Sequence, residues 1–318
     1  MITFLISAIR LGMAFLFGST GETITEKSGH LNLGIPGVMC VGAAFGCVAA
    51  SKYTTAVGGV EHLNPFLSVF IPILATLIGG ALMGLLYSFL AVTLRANQNV
   101  TGLTLTTFGV GLSSFMISRV TPSSYTIVSK YFTASLPFAS KLGWFGQLFL
   151  SYGVMIYLAI AVALIASYVL TRTRVGLYLR AVGENPATAD AAGINVSAYR
   201  YAATCTGCAI AGLGGLCFIM DYLNGNWEYC IDSIGWLAVA LVIFTIWKPN
   251  VGILGSIVFG GLYIVSSYVT GISFAAKELF KMLPYAVTIL VLIITSMRNK
   301  KENQPPAALG LPYFREER

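Results

Sequence analysis

Residues 66–94 read FLSVFIPILATLIGGALMGLLYSFLAVTL, 29 residues without one charge. A helix needs about 20 apolar residues to cross the hydrocarbon of a bilayer. This stretch is long enough to span and too long for the core strand or helix of a water-soluble domain. Working outward, uncharged runs recur at 31–51, 96–118, 142–171, 201–220, 233–247, 249–276 and 282–297, and 2–19 is apolar apart from Arg10. The 318-residue chain is 56% hydrophobic and only 10% charged, where a soluble domain carries about 25% charge. A soluble globule, a disordered chain and a fibrous protein are excluded. Alternating patterning is absent, which excludes a membrane β-barrel. The expected fold is all-α: a polytopic integral membrane helical bundle of about eight to ten transmembrane helices, nine by the runs, with 233–247 and 282–297 short enough to half-span, tilt or be buried by neighbours.

Orientation follows the distribution of Lys and Arg. One set of alternate loops carries twelve of them, including Lys27, Arg95, Arg172, Arg174, Arg180, Arg200 and Lys248; the other set carries six. The first set is therefore placed in the cytoplasm together with the C-terminus. The start lacks a basic region ahead of its apolar stretch, so it reads as a retained helix rather than a cleaved signal. Arg10 is expected to snorkel or to face the bundle. Residues 1–298 form the transmembrane domain, with a cytoplasmic loop within 171–200. Residues 299–318, with Pro305-Pro306, read as a flexible cytoplasmic tail.

Enzymatic chemistry is missing from the pattern. No Gly-Lys dipeptide occurs, so no phosphate-binding P-loop exists in the chain. The two histidines, His30 and His62, fall on opposite predicted sides. Cys205-x-x-Cys208 matches a redox spacing but lies in an apolar small-residue helix, where packing is the simpler reading. Gly42-x-x-x-Gly46, Gly80-x-x-x-Gly84 and Gly207-x-x-x-Ala211 predict close helix crossings.

Polar information concentrates in three places. In Leu31-Asn32-Leu33-Gly34-Ile35-Pro36-Gly37, Pro36 removes a backbone donor and disfavours helix at Ile35. This allows an interrupted helix at a transport site or a helix start with Pro in its first turn. Asn97, Gln98 and Thr101 open the next-but-one span, where their polar groups could bond a neutral solute or cap the helix. In the loop, Asn185-Pro186 is a cap-then-Pro helix start; 187–192 allows about two turns and Gly193 can end them. A short small-residue helix between two spans suits docking into a partner's groove, or is an ordinary amphipathic loop helix.

These blocks carry a resemblance. Gly21-Glu22, Glu26-Lys27-Ser28-Gly29, the 31–37 stretch, Asn97-Gln98 with Thr101-Gly102-Leu103, and the 179–194 loop resemble the permease subunits of ABC importers. Thr206-Gly207 with Ala211-Gly212-Leu213, Trp247-x-Pro249 and Phe259-Gly260 add to it. The branch is that of ribose and branched-chain amino-acid permeases, and within it the nucleoside permeases that work with basic-membrane-protein type lipoprotein receptors. The chain departs from the family pattern at Ile35-Pro36 and Thr245-Ile246. The resemblance implies a coupling segment at Arg180, Glu184, Asn185, Pro186 and Asp190, seated in a cleft of a separate ATPase subunit. It implies a translocation path along Asn32, Pro36, Asn97, Gln98 and Thr101. It further implies no cofactor in this chain, with ATP and Mg bound by the ATPase partner. A second homologous permease, an extracytoplasmic lipoprotein receptor and the lipid bilayer complete the partners, with no nucleic acid among them, at a bacterial cytoplasmic membrane. Path polarity favours an uncharged solute, nucleoside before a simple sugar such as ribose. An ion-coupled secondary transporter is the alternative from another class; it requires acids deep in spans, and Glu22 and Glu26 at a span edge are its candidates. An integral membrane enzyme is a third, without a nucleophile or metal cluster to support it.

Overall fold

In the computed structural model, which describes residues 2–135, 143–229, 231–269, 271, 273–298 and 304–314, helices are the regular elements and no strand occurs among the described residues. Among the described residues, seven helices are long and apolar enough to cross a membrane. They are α1 (Ile2–Glu26), α2 (Ile35–Ala56), α3 (Pro65–Ser88, continued by a π turn to Thr93) and α4 (Gln98–Ile117), then α8 (Val154–Arg172), α11 (Val196–Cys217, continued to Tyr222) and α13 (Pro249–Tyr268). Short α5 (Pro122–Thr126), α6 (Ser129–Phe132) and α7 (Gly143–Phe149) lie between α4 and α8. The helices α9 (Arg174–Glu184) and α10 (Pro186–Ala191) follow α8. The two short runs become α12 (Ile231–Phe244, 14 residues) and α15 (Leu283–Arg298, 16 residues), both below the length of a full crossing, with α14 (Phe274–Lys281) before the latter. The nine segments read from the sequence each hold a helix, and among the described residues seven of these helices are long enough to span by themselves.

The core is built where α1, α2, α3 and α11 meet. α11 packs along α1, α2 and α3, and α1 also packs on α13. Lipid offers no hydrophobic drive for one apolar helix to leave it for another, so close backbone approach supplies the contact. A Cβ on Gly42 would lie 2.5 Å from Gly212 Cα, and one on Gly80 would lie 2.4 Å from the Cys208 carbonyl oxygen. The Gly-x-x-x-Gly faces of α2 and α3 are thus both spent on α11. α12 is the most enclosed short element: Ile234, Leu237, Ala238, Leu241 and Val242 are fully buried, and it packs on α1 and α2. A half-length helix inside the bundle keeps its ends away from lipid, as exposed backbone demands.

Arg10 faces the bundle. Its Nε lies 2.7 Å from Asp221 Oδ1, and a second guanidinium nitrogen donates to the Asp221 carbonyl. Asp221 is fully buried in the π turn that ends the α11 span. A buried ion pair is costly to break because the survivor stays charged in a low dielectric. The tail also departs from expectation. Residues 304–314 lie against the body: the Ala308 amide donates to the Gly183 carbonyl, the Gly310 amide to the Gly29 carbonyl, and Arg95 stacks on Phe314.

Replacing Gly80 by Ala should cost about 1–3 kcal/mol through overpacking against α11. Gly111→Ala, where a Cβ meets nothing within 4 Å, should be neutral. Unfolding midpoints of the two detergent-solubilised variants test this; equal midpoints would refute the crossing argument.

Candidate coupling face and buried junction

The loop is organised by local chemistry. The Thr173 hydroxyl accepts from the Gly176 amide at 3.2 Å and starts α9. Asn185 Oδ1 accepts from the Thr188 amide at 3.0 Å, and Pro186 takes the first turn of α10, where a missing N–H costs nothing. Gly193, at φ +83°, turns the chain out of α10, a conformation that a β-carbon resists. Asn195 Oδ1 then caps α11 through the Ala198 amide at 3.0 Å. The structure therefore contains the short helix read from Asn185-Pro186. Glu184 and Asn185 are exposed at its head, and Pro186 and Asp190 are half-buried.

The loop is tied to the spans. A Cβ on Gly183 would fall 2.3 Å from the Lys27 carbonyl oxygen, so α9 touches the chain leaving α1 backbone to backbone. Val182, Ala189 and Val196 form a small buried core with Tyr199 and Tyr313 around it. The tail closes the arrangement: the Tyr313 hydroxyl bonds Asp190 Oδ2 at 2.8 Å, and the Ala307 amide reaches Glu184 Oε2 at 3.4 Å. Of the loop residues singled out in the sequence, Glu184 and Asp190 are each bonded by the tail; Arg180 lines a cavity together with Glu184, Lys27 and Lys248.

Between α1 and α2, residues 27–34 run without helix yet are mostly buried. Backbone groups there cannot turn to water, so each needs a protein partner. Glu22 Oε1 accepts from the Asn32 amide at 3.0 Å, and Gln98 Oε1 from the Leu31 amide at 2.9 Å. Asn32 Oδ1 accepts from the Gly34 amide at 2.9 Å. The Tyr87 hydroxyl donates to the Leu31 carbonyl at 2.7 Å and the Thr106 hydroxyl to the Leu33 carbonyl at 2.9 Å. His30 Nδ1 lies 3.0 Å from the Thr204 hydroxyl, and Asn32 Nδ2 donates to Cys208 Sγ at 3.3 Å. Trp247 Nε1 donates to the Glu26 carboxylate, which binds the α12–α13 turn to the end of α1. That turn holds Ile246 and Trp247 at φ +55° and +52°, a strained pair for bulky side chains.

The residues named for the path have definite places. Pro36 sits in the first turn of α2, which makes it a helix start, with its Cα 2.4 Å from where a Cβ on Gly235 would be. Asn97 is exposed and caps α4 through the Val100 amide at 3.1 Å. Asn32 and Gln98 are buried in the junction's bonds, and Thr101 is buried on α4. Asn32, Gln98 and Asn97 are thus each engaged in holding backbone. What the sequence reading missed is Asp221, one residue past the run that defined its span, and the roles of Tyr87, Trp247 and Tyr313, whose signal is only an aromatic with a polar tip.

With this geometry in view, comparison with known proteins is direct. The family model of the branched-chain amino acid transport system / permease component matches residues 4–292. The chain belongs to this permease family. The permease is 33% identical over 285 residues to the nucleoside ABC transporter permease protein NupC of Lactococcus lactis, covering 88% of this chain and 87% of that one. It is 30% identical over 306 residues to the guanosine ABC transporter permease protein NupQ of Bacillus subtilis, covering 94% and 92%. A permease of Haloferax volcanii provisionally assigned to glucose, TsgC13, is 30% identical over 342 residues, covering 98% and 97%. The protein is a multi-pass membrane permease of the ABC transporter class.

His30 gives the junction a pH signature. Burial, with Arg200 adding to it, pushes the imidazole down to about 3 from an ordinary 6.5. The unfolded chain therefore takes up the proton first. His30 contributes stability that is complete above about 6.5 and is lost as pH falls toward about 3, by up to about 1.4 kcal/mol per pH unit. Unfolding of the solubilised permease at pH 7, 6 and 5 should show this loss. His30→Gln should flatten that part of the profile; parallel profiles for the two proteins would contradict it.

Proposed function

We propose that the permease is the membrane subunit of an ABC importer for nucleosides, driven by a separate ATPase that grips α10. The observation that carries this is the exposed head of α10: Glu184 and Asn185, beside the half-buried Pro186, project from a loop fixed to α1, α11 and the tail. Such a helix is rigid enough to pass on a push and open enough to be gripped. ATP and Mg belong to the ATPase in this reading. ATP-driven closure of the motor would move α9–α10, and through Gly183 and Lys27 it would move the buried junction and α1. Coupling of this kind works because each conformation binds nucleotide and solute with different free energy. A second, homologous permease completes the pathway, a lipoprotein receptor delivers the solute from outside, and the α10 face and C-terminal segment lie in the cytoplasm of a bacterial cell. Nucleoside is preferred because NupC and NupQ, similar along nearly their whole length, carry nucleoside and guanosine in their names. Sugar is the second reading, supported by the equally extended similarity to TsgC13.

Uptake of radiolabelled guanosine and adenosine in cells lacking the gene should fall and return with the intact gene. Unchanged uptake of both nucleosides together with lost ribose or glucose uptake would move the assignment to sugar. Glu184→Lys should lower nucleoside uptake about tenfold or more, within the range of a typical coupling free energy, while the chain still inserts in the membrane. Normal uptake by this variant would remove Glu184 from the coupling role.

A further inference from the structure

A cavity of about 700 Å³ opens beside the loop, between the end of α8, the start of α13, α9 and the α1–α2 junction. Four cations from four separate places line it: Lys27, Arg172, Arg180 and Lys248. Glu184 is the one carboxylate in the lining. Among the described residues, none of the four cations has a carboxylate within 4 Å; the ion pairs are Arg10–Asp221 and Lys281–Glu278. Arg180 bonds only weakly back to its own helix, through Nε to the Gly176 carbonyl at 3.4 Å. Lys27 shows the strain of this gathering. Burial pushes its ammonium below the ordinary value, Glu184 and Glu26 oppose that, and Arg180 and Lys248 depress it further.

Solvated surface cations usually spread apart. Here four converge on one concavity, with the first turn of the 20-residue α13 at its wall through Pro249 and Asn250. Lys248 precedes α13 without a side-chain cap, so the positive end of that helix also faces the concavity uncapped. Focused positive potential in a recess concentrates anions, and Arg matches the fork of a phosphate. Trp247 adds an apolar wall, with Lys27 Nζ 5.8 Å from its ring centre.

We propose that this cavity is a binding site for a phosphate ester, held by Lys27, Arg172, Arg180 and Lys248 and separate from the solute path. A bound phosphate would bridge α9 to α13 and the α1–α2 junction beside the tail residue Gln304, and so stiffen the coupling loop. Two sources offer that chemistry: a soluble phosphate monoester, or the headgroup of an anionic lipid, since basic pockets between spans take such headgroups. The site concerns phosphate binding alone and stands whether the transported solute is a nucleoside or a sugar.

The test uses the full chain in nanodiscs. In neutral phosphatidylcholine discs, adenosine monophosphate is titrated against tryptophan fluorescence, with adenosine as competitor. In parallel, discs containing phosphatidylglycerol are examined by native mass spectrometry for retained lipid. Saturable monophosphate binding that adenosine does not displace assigns a soluble ligand. Retention of phosphatidylglycerol over phosphatidylcholine, without monophosphate binding, assigns the headgroup. In either case the exposed pair Arg172→Gln/Lys248→Gln should weaken binding about tenfold or more. Glu184→Gln, which removes the carboxylate found among the described lining residues, should strengthen it, a gain that misfolding cannot mimic. Absence of both kinds of binding, displacement by adenosine, or equal binding by the double variant overturns the proposal.

Discussion

Eight residues between α1 and α2 leave the helix while still inside protein, and their amides and carbonyls must be satisfied without water. That constraint gathers much of the architecture. Glu22 reaches forward from α1, Gln98 and Thr106 reach across from α4, Tyr87 comes from α3, and the tail supplies the Gly310 amide to the Gly29 carbonyl. An unpaired buried backbone group costs as much as a lost hydrogen bond or more. Each of these side chains is thereby fixed in place by a neighbour's need. The junction is a knot where four helices and the C-terminal segment meet, and α9 leans on it through Gly183.

The knot explains why the α9–α10 loop is an ordered element rather than a loose connector. Its two ends are capped by Thr173 and Asn195, its middle by Asn185, and its inner side by a small core around Val182, Ala189 and Val196. Its outer end stays open. A force applied at Glu184–Pro186 meets few soft joints before it reaches α1. On the far side of α1, Trp247 holds Glu26 and through it the strained turn between α12 and α13. The half-length α12, enclosed by α1 and α2, is therefore mechanically joined to the same point.

Much of this was legible in the amino-acid sequence where the signal is local. Uncharged run lengths located the spans and left 233–247 open between half-spanning, tilting and burial; it forms the buried 14-residue α12. Asn185-Pro186 and Gly193 marked α10 because cap and stop chemistry act within a few residues. The paired-glycine faces located the crossings on α11. Long-range pairings left no such mark. Asp221 ended a hydrophobic run and so read as a boundary, although it is fully buried against Arg10. Residues 304–314 read as a free tail because they are polar and proline-rich, but they are held by bonds to residues more than a hundred positions away, such as Ala308 to Gly183 and Tyr313 to Asp190, which leave no local mark. Asn97 and Pro36 were open between a path and a helix end; in the structure one caps α4 and the other starts α2, while Asn32 and Gln98 bond the junction's backbone.

The Arg10–Asp221 pair bears on how the chain is made. Its partners are 211 residues apart. At about 5–20 residues per second of synthesis, the arginine precedes its aspartate by roughly 10–40 seconds. A lone arginine deep in a span costs about 2.5–3.5 kcal/mol at insertion. During that interval α1 has reason to wait at the translocon or the membrane surface. Its arginine is neutralised only once the α11 span has arrived, so a helix made early depends for its buried charge on one made late.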